Sequence, residues 1–167
     1  TNYQEAIFDY AKAIELNPKD AVAYISRGTS NYNLTNYQEA IFDYTKAIEL
    51  DPYDEVAYIN RGLANYNLTN YQEAITDFNQ AIGINSSDVK AYYFRGLSSY
   101  NLTNYQEAIS DFDKVIEINP GNSSAYIDRG NSKYFLRDIK GACADWKGAF
   151  LLGYEDTSLS ITLKKEC

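Results

Sequence analysis

The chain has 167 residues, a formal net charge of −8 and a sequence pI of about 4.5. Nucleic acids and anionic membranes are bound through basic patches, so this balance argues against either as the main partner. The sequence has no histidine, the commonest general base and metal ligand, and its two cysteines are too few and too far apart for a zinc site. It also has no run of about 18 apolar residues, so no membrane insertion is expected. We therefore expect no enzyme and no cofactor.

The segment TNYQEAI occurs four times, at Thr1, Thr35, Thr69 and Thr103, with a constant spacing of 34 residues. A weaker copy, RDIKGAC, begins at Arg137, again 34 residues further on. A fixed period between about 20 and 50 residues is typical of solenoids and other repeat arrays. We therefore predict one continuous array: a half repeat at 1–20, full repeats at 21–54, 55–88, 89–122 and 123–156, and a capping helix at 157–167.

Each full repeat predicts two antiparallel helices joined by a tight turn. In the repeat 21–54, apolar or small residues from Ala23 to Leu34 have roughly helical spacing. Asn36 and Glu39 then resemble a capping box at the start of a second helix, which Pro52 ends. The apolar stripe of that second helix is Tyr37, Ala40, Ile41, Tyr44, Ala47 and Ile48.

Small residues recur in both helices of every repeat. Glycine inside a helix costs about 1 kcal/mol relative to alanine, so its regular presence needs a structural reason. We interpret these positions as points of close helix approach. They are Gly28, Gly62, Gly96 and Gly130 in the first helices and Ala40, Ala74, Ala108 and Ala142 in the second.

This pattern resembles the tetratricopeptide repeat, in which an aromatic residue, a glycine, an alanine, an aromatic residue, an alanine and a proline recur at fixed positions. In the first full repeat these are Tyr24, Gly28, Ala40, Tyr44, Ala47 and Pro52. The proline position departs from the pattern at Ser86 and at Tyr154. The resemblance implies an all-α fold, an α-solenoid of stacked antiparallel helix pairs in a right-handed superhelix. It also implies a non-enzymatic scaffold that binds a peptide or protein segment in its concave groove.

The same resemblance implies which first-helix residues line that groove. They are Ile25, Thr29, Tyr32, Asn33, Ile59, Leu63, Tyr66, Asn67, Tyr93, Leu97, Tyr100, Asn101, Ile127, Asn131 and Tyr134. Phe135 is the equivalent of the three asparagines in the last repeat, and Val22, Val56, Lys90 and Ser124 form an additional row. This set lacks the lysine and asparagine pattern of the family's carboxylate clamp, so no clamp is expected. Tyrosine and asparagine rows suit an extended segment. The alternative is that these two rows serve only structure, the tyrosines by sealing the contact between the two helices of a repeat.

Two charged series also follow the 34-residue period. They are Arg27, Arg61, Arg95 and Arg129, and Asp9, Asp43, Asp77, Asp111 and Asp145. We predict a ladder of partly buried arginine–aspartate pairs between neighbouring helices. Because a buried pair can be nearly neutral for stability, its role would be to set register. The alternative is an arginine row that binds anionic ligands.

The two ends of the array suggest further features. The chain starts with the second helix of a repeat, which would expose Tyr3, Ala6, Ile7 and Tyr10, and a partner helix from another copy could cover them. Self-assembly into a homo-oligomer, through this helix or the groove, is therefore the alternative function. At the other end, Gly153 is expected to stop a helix and Asp156 to cap the final one.

Cys143 and Cys167 form a possible disulfide that would tie the final helix to the last repeat, and two free thiols are the alternative. The compartment is not determined by the sequence. The cytoplasm is favoured unless the two cysteines are bonded, in which case a periplasmic or extracellular location is expected.

Overall fold

The computed structural model describes residues 2–154 and residue 167, and this part of the chain contains nine α-helices and no strand. The capping helix predicted at 157–167, with Asp156, lies outside the described residues except for Cys167. The helices are α1 (Tyr3–Leu16), α2 (Ala21–Asn33), α3 (Tyr37–Leu50), α4 (Glu55–Asn67), α5 (Tyr71–Ile84), α6 (Val89–Asn101), α7 (Tyr105–Ile118), α8 (Ser123–Phe135) and α9 (Ile139–Leu151).

The chain divides into two compact units, Thr1–Ser86 and Ser87–Cys167. The first unit contains α1 to α5. There α2 packs on α3 and α4 on α5, while α1 contacts α2 and α3 contacts α4. The second unit contains α6 to α9, in which α6 packs on α7, α8 on α9, and α7 contacts α8. Helix pairs that stack on their neighbours confirm the predicted all-α solenoid.

The first helix of each full repeat begins at a carboxylate or amide cap. The Asp54 side chain accepts a hydrogen bond from the Ala57 N–H at 2.9 Å, and Asp20, Asp88 and Asn122 cap α2, α6 and α8 in the same way. The capping box predicted at Asn36 does not form, because its side chain makes no bond to the first turn of α3. Its carboxamide lies instead 3.5 Å from Oδ1 of Asn31.

The turn inside each repeat contains a residue with left-handed backbone geometry. Thr35 has φ 63°, and Thr69, Thr103 and Arg137 have nearly the same angle. The N–H of Thr35 bonds the carbonyl of Tyr32, and the N–H of Asn36 bonds that of Asn31, both at 2.9 Å. These bonds satisfy the last carbonyls of the helix and hold a β-branched residue where glycine is usual. They set the direction in which the second helix leaves the first.

In each full repeat, the first-helix glycine lies against an aromatic ring of the second helix. A Cβ built at Gly62 would lie 2.8 Å from Cε1 of Phe78, and one built at Gly28 would lie 2.8 Å from Cε1 of Tyr44. Ala40 and Ala74 are completely buried on the second helices. This confirms the interpretation of the small residues, because any larger side chain would have to displace an aromatic ring of the core.

Candidate functional site

The candidate site is the surface formed by neighbouring first helices, which we call the groove face. In the first unit it belongs to α2 and α4. Thr29, Asn33 and Asn67 are exposed, whereas Ile25, Tyr32 and Tyr66 are half-buried. Ile59 and Leu63 differ from the prediction. They are only 7% and 6% exposed, so they belong to the core rather than to an open groove.

One hydrogen bond joins the tyrosine and asparagine rows across the groove face of the first unit. The carboxamide nitrogen of Asn67 donates to Oη of Tyr32 at 2.8 Å and to the carbonyl of Leu63 at 2.8 Å. The Tyr32 ring also packs edge-on against Tyr37, with centroids 5.3 Å apart, and burial raises its pKa. Tyr32 therefore supports the structure while its hydroxyl still reaches the surface. Because both N–H groups of Asn67 are engaged, its Oδ1 remains as an acceptor.

In the second unit the groove face belongs to α6 and α8. Asn101 is exposed, and Tyr93, Leu97, Tyr100, Ile127, Asn131 and Tyr134 are half-buried. Asn131 faces the core, because its Oδ1 accepts a hydrogen bond from Nε1 of Trp146 at 3.1 Å. Phe135 is 53% exposed and stacks on Tyr105 with centroids 4.9 Å apart. The groove face of the second unit is therefore richer in aromatic side chains than that of the first unit.

Arginine–aspartate pairs join the two helices of each full repeat. Nε and Nη2 of Arg27 bond the two carboxylate oxygens of Asp43 at 2.9 and 2.6 Å. The same two-pronged pairing joins Arg61 to Asp77, Arg95 to Asp111 and Arg129 to Asp145. Asp9 is exposed, and no ion pair to it is present in the described part of the chain. The aspartates thus neutralise the guanidinium groups that an anionic ligand would have to contact, which argues against an anion-binding arginine row.

The aspartates of these pairs are buried. Burial raises the pKa of Asp77 above its usual 3.8, more than its bonds to Arg61 and Asn65 lower it. Nη1 of Arg61 has a further acceptor, Oγ1 of Thr45, at 3.1 Å. Each pair is therefore a satisfied structural contact whose carboxylate has lost most of its hydration.

Cys143 on α9 is bonded to Cys167 by a disulfide, with Cα atoms 5.6 Å apart. Cys143 is buried beside the last repeat's core. The bond ties the final residue of the chain to α9 across a sequence separation of 24 residues.

Two family models match the chain. One is described as anaphase-promoting complex, cyclosome, subunit 3 and matches residues 33–115, and the other is described as tetratricopeptide repeat and matches residues 1–55. The chain belongs to the tetratricopeptide repeat family. No curated protein sequence matches it at a significant level.

Solved tetratricopeptide repeat structures resemble the whole chain or most of it. The crystal structure of MamA is 26% identical, with a TM-score of 0.89 over 91% of this chain and 89% of that one. The first repeat domain of Spaghetti (RPAP3), bound to the HSP90 peptide SRMEEVD, is 32% identical, with a TM-score of 0.69 over 70% and 93%. PilF from Pseudomonas aeruginosa, 21% identical with a TM-score of 0.84 over 98% and 76%, shares the fold.

Membership of this family supports a protein–protein interaction scaffold. None of the helices that the structure describes is long and apolar enough to cross a membrane. Within the same residues, no group of three or more histidine, cysteine, aspartate or glutamate side chains is arranged to hold a metal ion. Besides aliphatic side chains and the exposed Lys90, the groove face offers amides, phenols, aromatic rings and a few carboxylates.

Proposed function

We propose that this tetratricopeptide repeat chain is a non-enzymatic scaffold that binds an extended peptide segment on its groove face. The observation that carries the proposal is the row of carboxamides beside tyrosine rings. Asn33 is exposed, and its one hydrogen bond goes to the carbonyl of Thr29 at 2.8 Å, so one N–H and Oδ1 remain for a ligand. A carboxamide with a donor and an acceptor can pair with the backbone of an extended chain.

The chemistry of the face argues against an acidic peptide as its ligand. RPAP3 binds SRMEEVD, a peptide with two adjacent glutamates and a terminal aspartate. Here the groove face presents amides and phenols, and the one lysine among its predicted residues is Lys90. The first-helix arginines are paired with aspartates, and the whole chain carries a net charge of −8. We therefore expect the peptide ligand to be neutral or basic.

A selection of random 12-residue peptides, followed by fluorescence anisotropy, tests the proposal. We expect Asn67→Ala and Tyr66→Ala to weaken the selected peptides by about tenfold or more, because each removes groove-face contacts. Tyr53→Ala is the matched control, since Tyr53 is exposed in the turn before α4 and should leave affinity unchanged. SRMEEVD should not bind. Undiminished affinity in both groove variants, or tight binding of SRMEEVD, would overturn the proposal.

Self-assembly through α1 is the second candidate function, and one observation favours it. The α1 positions equivalent to the buried Ala40, Asp43 and Tyr44 are Ala6, Asp9 and Tyr10, of which two are half-buried and Asp9 is exposed. In the full repeats a first helix covers these positions with its arginine and glycine. A helix from a second copy would bury the same strip.

Light scattering across a dilution series tests this second candidate. Self-assembly predicts a mass that rises above 19.0 kDa as concentration increases. Tyr10→Glu should restore the monomer by placing a charge in the strip, whereas Tyr53→Glu, the matched change on an exposed turn, should not. A mass of 19.0 kDa at every concentration would exclude self-assembly.

The disulfide between Cys143 and Cys167 supports a further proposal about compartment. Disulfides persist in oxidising surroundings and are rare in the cytosol. We therefore propose a periplasmic or extracellular setting for the scaffold rather than the cytoplasm.

A further inference from the structure

A small pocket of about 110 Å³ opens on the groove face of the second unit. It is lined by Tyr93 on α6, by Ser124, Ile127 and Asp128 on α8, and by Tyr154 after α9. Its lining combines a carboxylate, two phenol rings, a hydroxyl and one aliphatic side chain.

The residues of this pocket are departures from an otherwise regular repeat. Tyr93 stands where the other three full repeats have isoleucine, and one of those isoleucines, Ile127, lies in the pocket itself. Asp128 is the only acidic residue in its series, and Tyr154 stands where two repeats have proline. The series of Asp128 is Ser26, Asn60, Phe94 and Asp128, and that of Tyr154 is Pro52, Ser86, Pro120 and Tyr154. Substitutions that are scattered in the sequence therefore meet at one place in the fold.

The carboxylate of Asp128 has one hydrogen-bond partner in the described structure. Its Oδ2 accepts a hydrogen bond from Oη of Tyr93 at 2.7 Å. No described buried side-chain oxygen lacks a partner, so its Oδ1, which has none, is open to solvent. No ion pair joins Asp128 to a described lysine or arginine. Burial raises the pKa of Asp128, an effect opposed by the Tyr93 bond. A cation bound to Oδ1 would compensate for the hydration that the carboxylate loses on burial.

We propose that this pocket binds the side-chain ammonium group of a lysine in the peptide partner. One free carboxylate oxygen matches a point donor such as ammonium better than a guanidinium, whose two parallel N–H groups need both oxygens. The faces of the tyrosine rings attract a cation, and Ile127 offers apolar surface to the methylene groups of the lysine side chain. This inference deepens the proposed function, because it assigns a required lysine to a ligand of the groove face.

The test uses single-residue probes, so that it does not depend on whether a long peptide binds the face. Nα-acetyl-lysine N-methylamide is titrated into the ¹⁵N-labelled chain, and the amide shifts of Ser124, Ile127 and Asp128 are followed. We expect saturable shifts confined to the pocket. Nα-acetyl-norleucine N-methylamide, with a similar stem and no charge, should produce none, and so should glycine N-methylamide, whose ammonium lacks the stem.

Variants separate the pocket from general electrostatic attraction. Asp128→Asn should weaken the lysine probe by about tenfold or more. Asparagine is the residue at the equivalent Asn60, so the fold should tolerate it. Glu117→Gln removes one charge from an exposed site on α7 and should leave affinity unchanged. The proposal would be overturned if the norleucine or glycine probe bound as well as the lysine probe. It would also be overturned if Asp128→Asn bound the lysine probe undiminished, or if Asp128→Asn and Glu117→Gln lost the same affinity. Peptide binding that survives such a result would leave the proposed function standing.

Discussion

Replacing Phe78 by alanine is expected to lower the free energy of unfolding by about 3–5 kcal/mol. Phe78 is 0% exposed, and its ring on α5 lies against Gly62 of α4, where a built Cβ would be 2.8 Å from Cε1 of Phe78. The substitution removes apolar area and leaves a cavity beside Gly62, which has no side chain that could fill it. Urea denaturation followed by circular dichroism measures the change.

Phe42→Ala on α3 provides the matched control. It deletes the same atoms from a side chain that is 57% exposed, so the expected loss is below about 1 kcal/mol. If the two variants unfolded at the same urea concentration, the assignment of Phe78 to the core of the repeat would be wrong. A smaller denaturant slope for Phe78→Ala would indicate that unfolding had lost its cooperativity along the array.

Replacing Arg61 by methionine is expected to cost about 3–5 kcal/mol, because it leaves a buried carboxylate without its counter-charge. Nη2 of Arg61 lies 2.6 Å from Oδ1 of Asp77, whose side chain is 3% exposed. Asn65 donates one bond to Asp77 at 3.2 Å and would be its main remaining partner. Lys46→Met, which breaks the exposed pair with Glu49, should change stability by less than about 1 kcal/mol.

The cost of Arg61→Met should depend on pH. Burial raises the folded-state pKa of Asp77 above its unfolded value of 3.8. The proton that Asp77 binds therefore stabilises the folded state fully below pH 3.8, and this stabilisation is lost as the pH rises through the folded-state pKa. Without Arg61 the folded pKa should rise further. The variant's deficit should therefore be smaller at about pH 4.5 than at about pH 7. A deficit independent of pH would show that lost packing, and not an unpaired charge, causes it.

The double variant Arg61→Met with Asp77→Leu tests whether the ion pair sets the register of the helices or contributes net stability. Apolar replacement of a whole buried pair is often neutral or stabilising, so the double variant should recover most of the loss caused by Arg61→Met. If it stayed as unstable as the single variant, the pair would contribute net stability and our interpretation of the ladder as a register device would be wrong.

Much of the fold could be predicted because the residues that determine each helix pair lie within one repeat. The 34-residue period, the apolar spacing and the glycines are repeated in every copy, and stacking needs only contacts between adjacent helices. The pairing of Arg27 with Asp43 belongs to the same class, since both residues lie within one repeat. Periodicity therefore carried reliable information about helices and about pairs within a repeat.

The predictions were weaker where a side chain chooses among several partners. Asn36 occupies the cap position, but its carboxamide lies toward Asn31 instead of capping α3. Ile59 and Leu63 occupy groove positions in the sequence pattern, yet they are buried. Equivalent positions in the sequence are thus not equivalent in exposure, because exposure depends on the helices around each copy.

The sequence alone determined the repeat length, the helix pairs and the arginine–aspartate series, because these depend on residues close in the chain. Only the tertiary structure brought Tyr93, Asp128 and Tyr154 together, since they belong to three different elements of the second unit. In the sequence they are three unrelated irregularities, and nothing in the period indicates that they meet. The stacking of α6 and α8 and the turn after α9 decide that contact, because it depends on the distance and angle between helices, which no single repeat encodes.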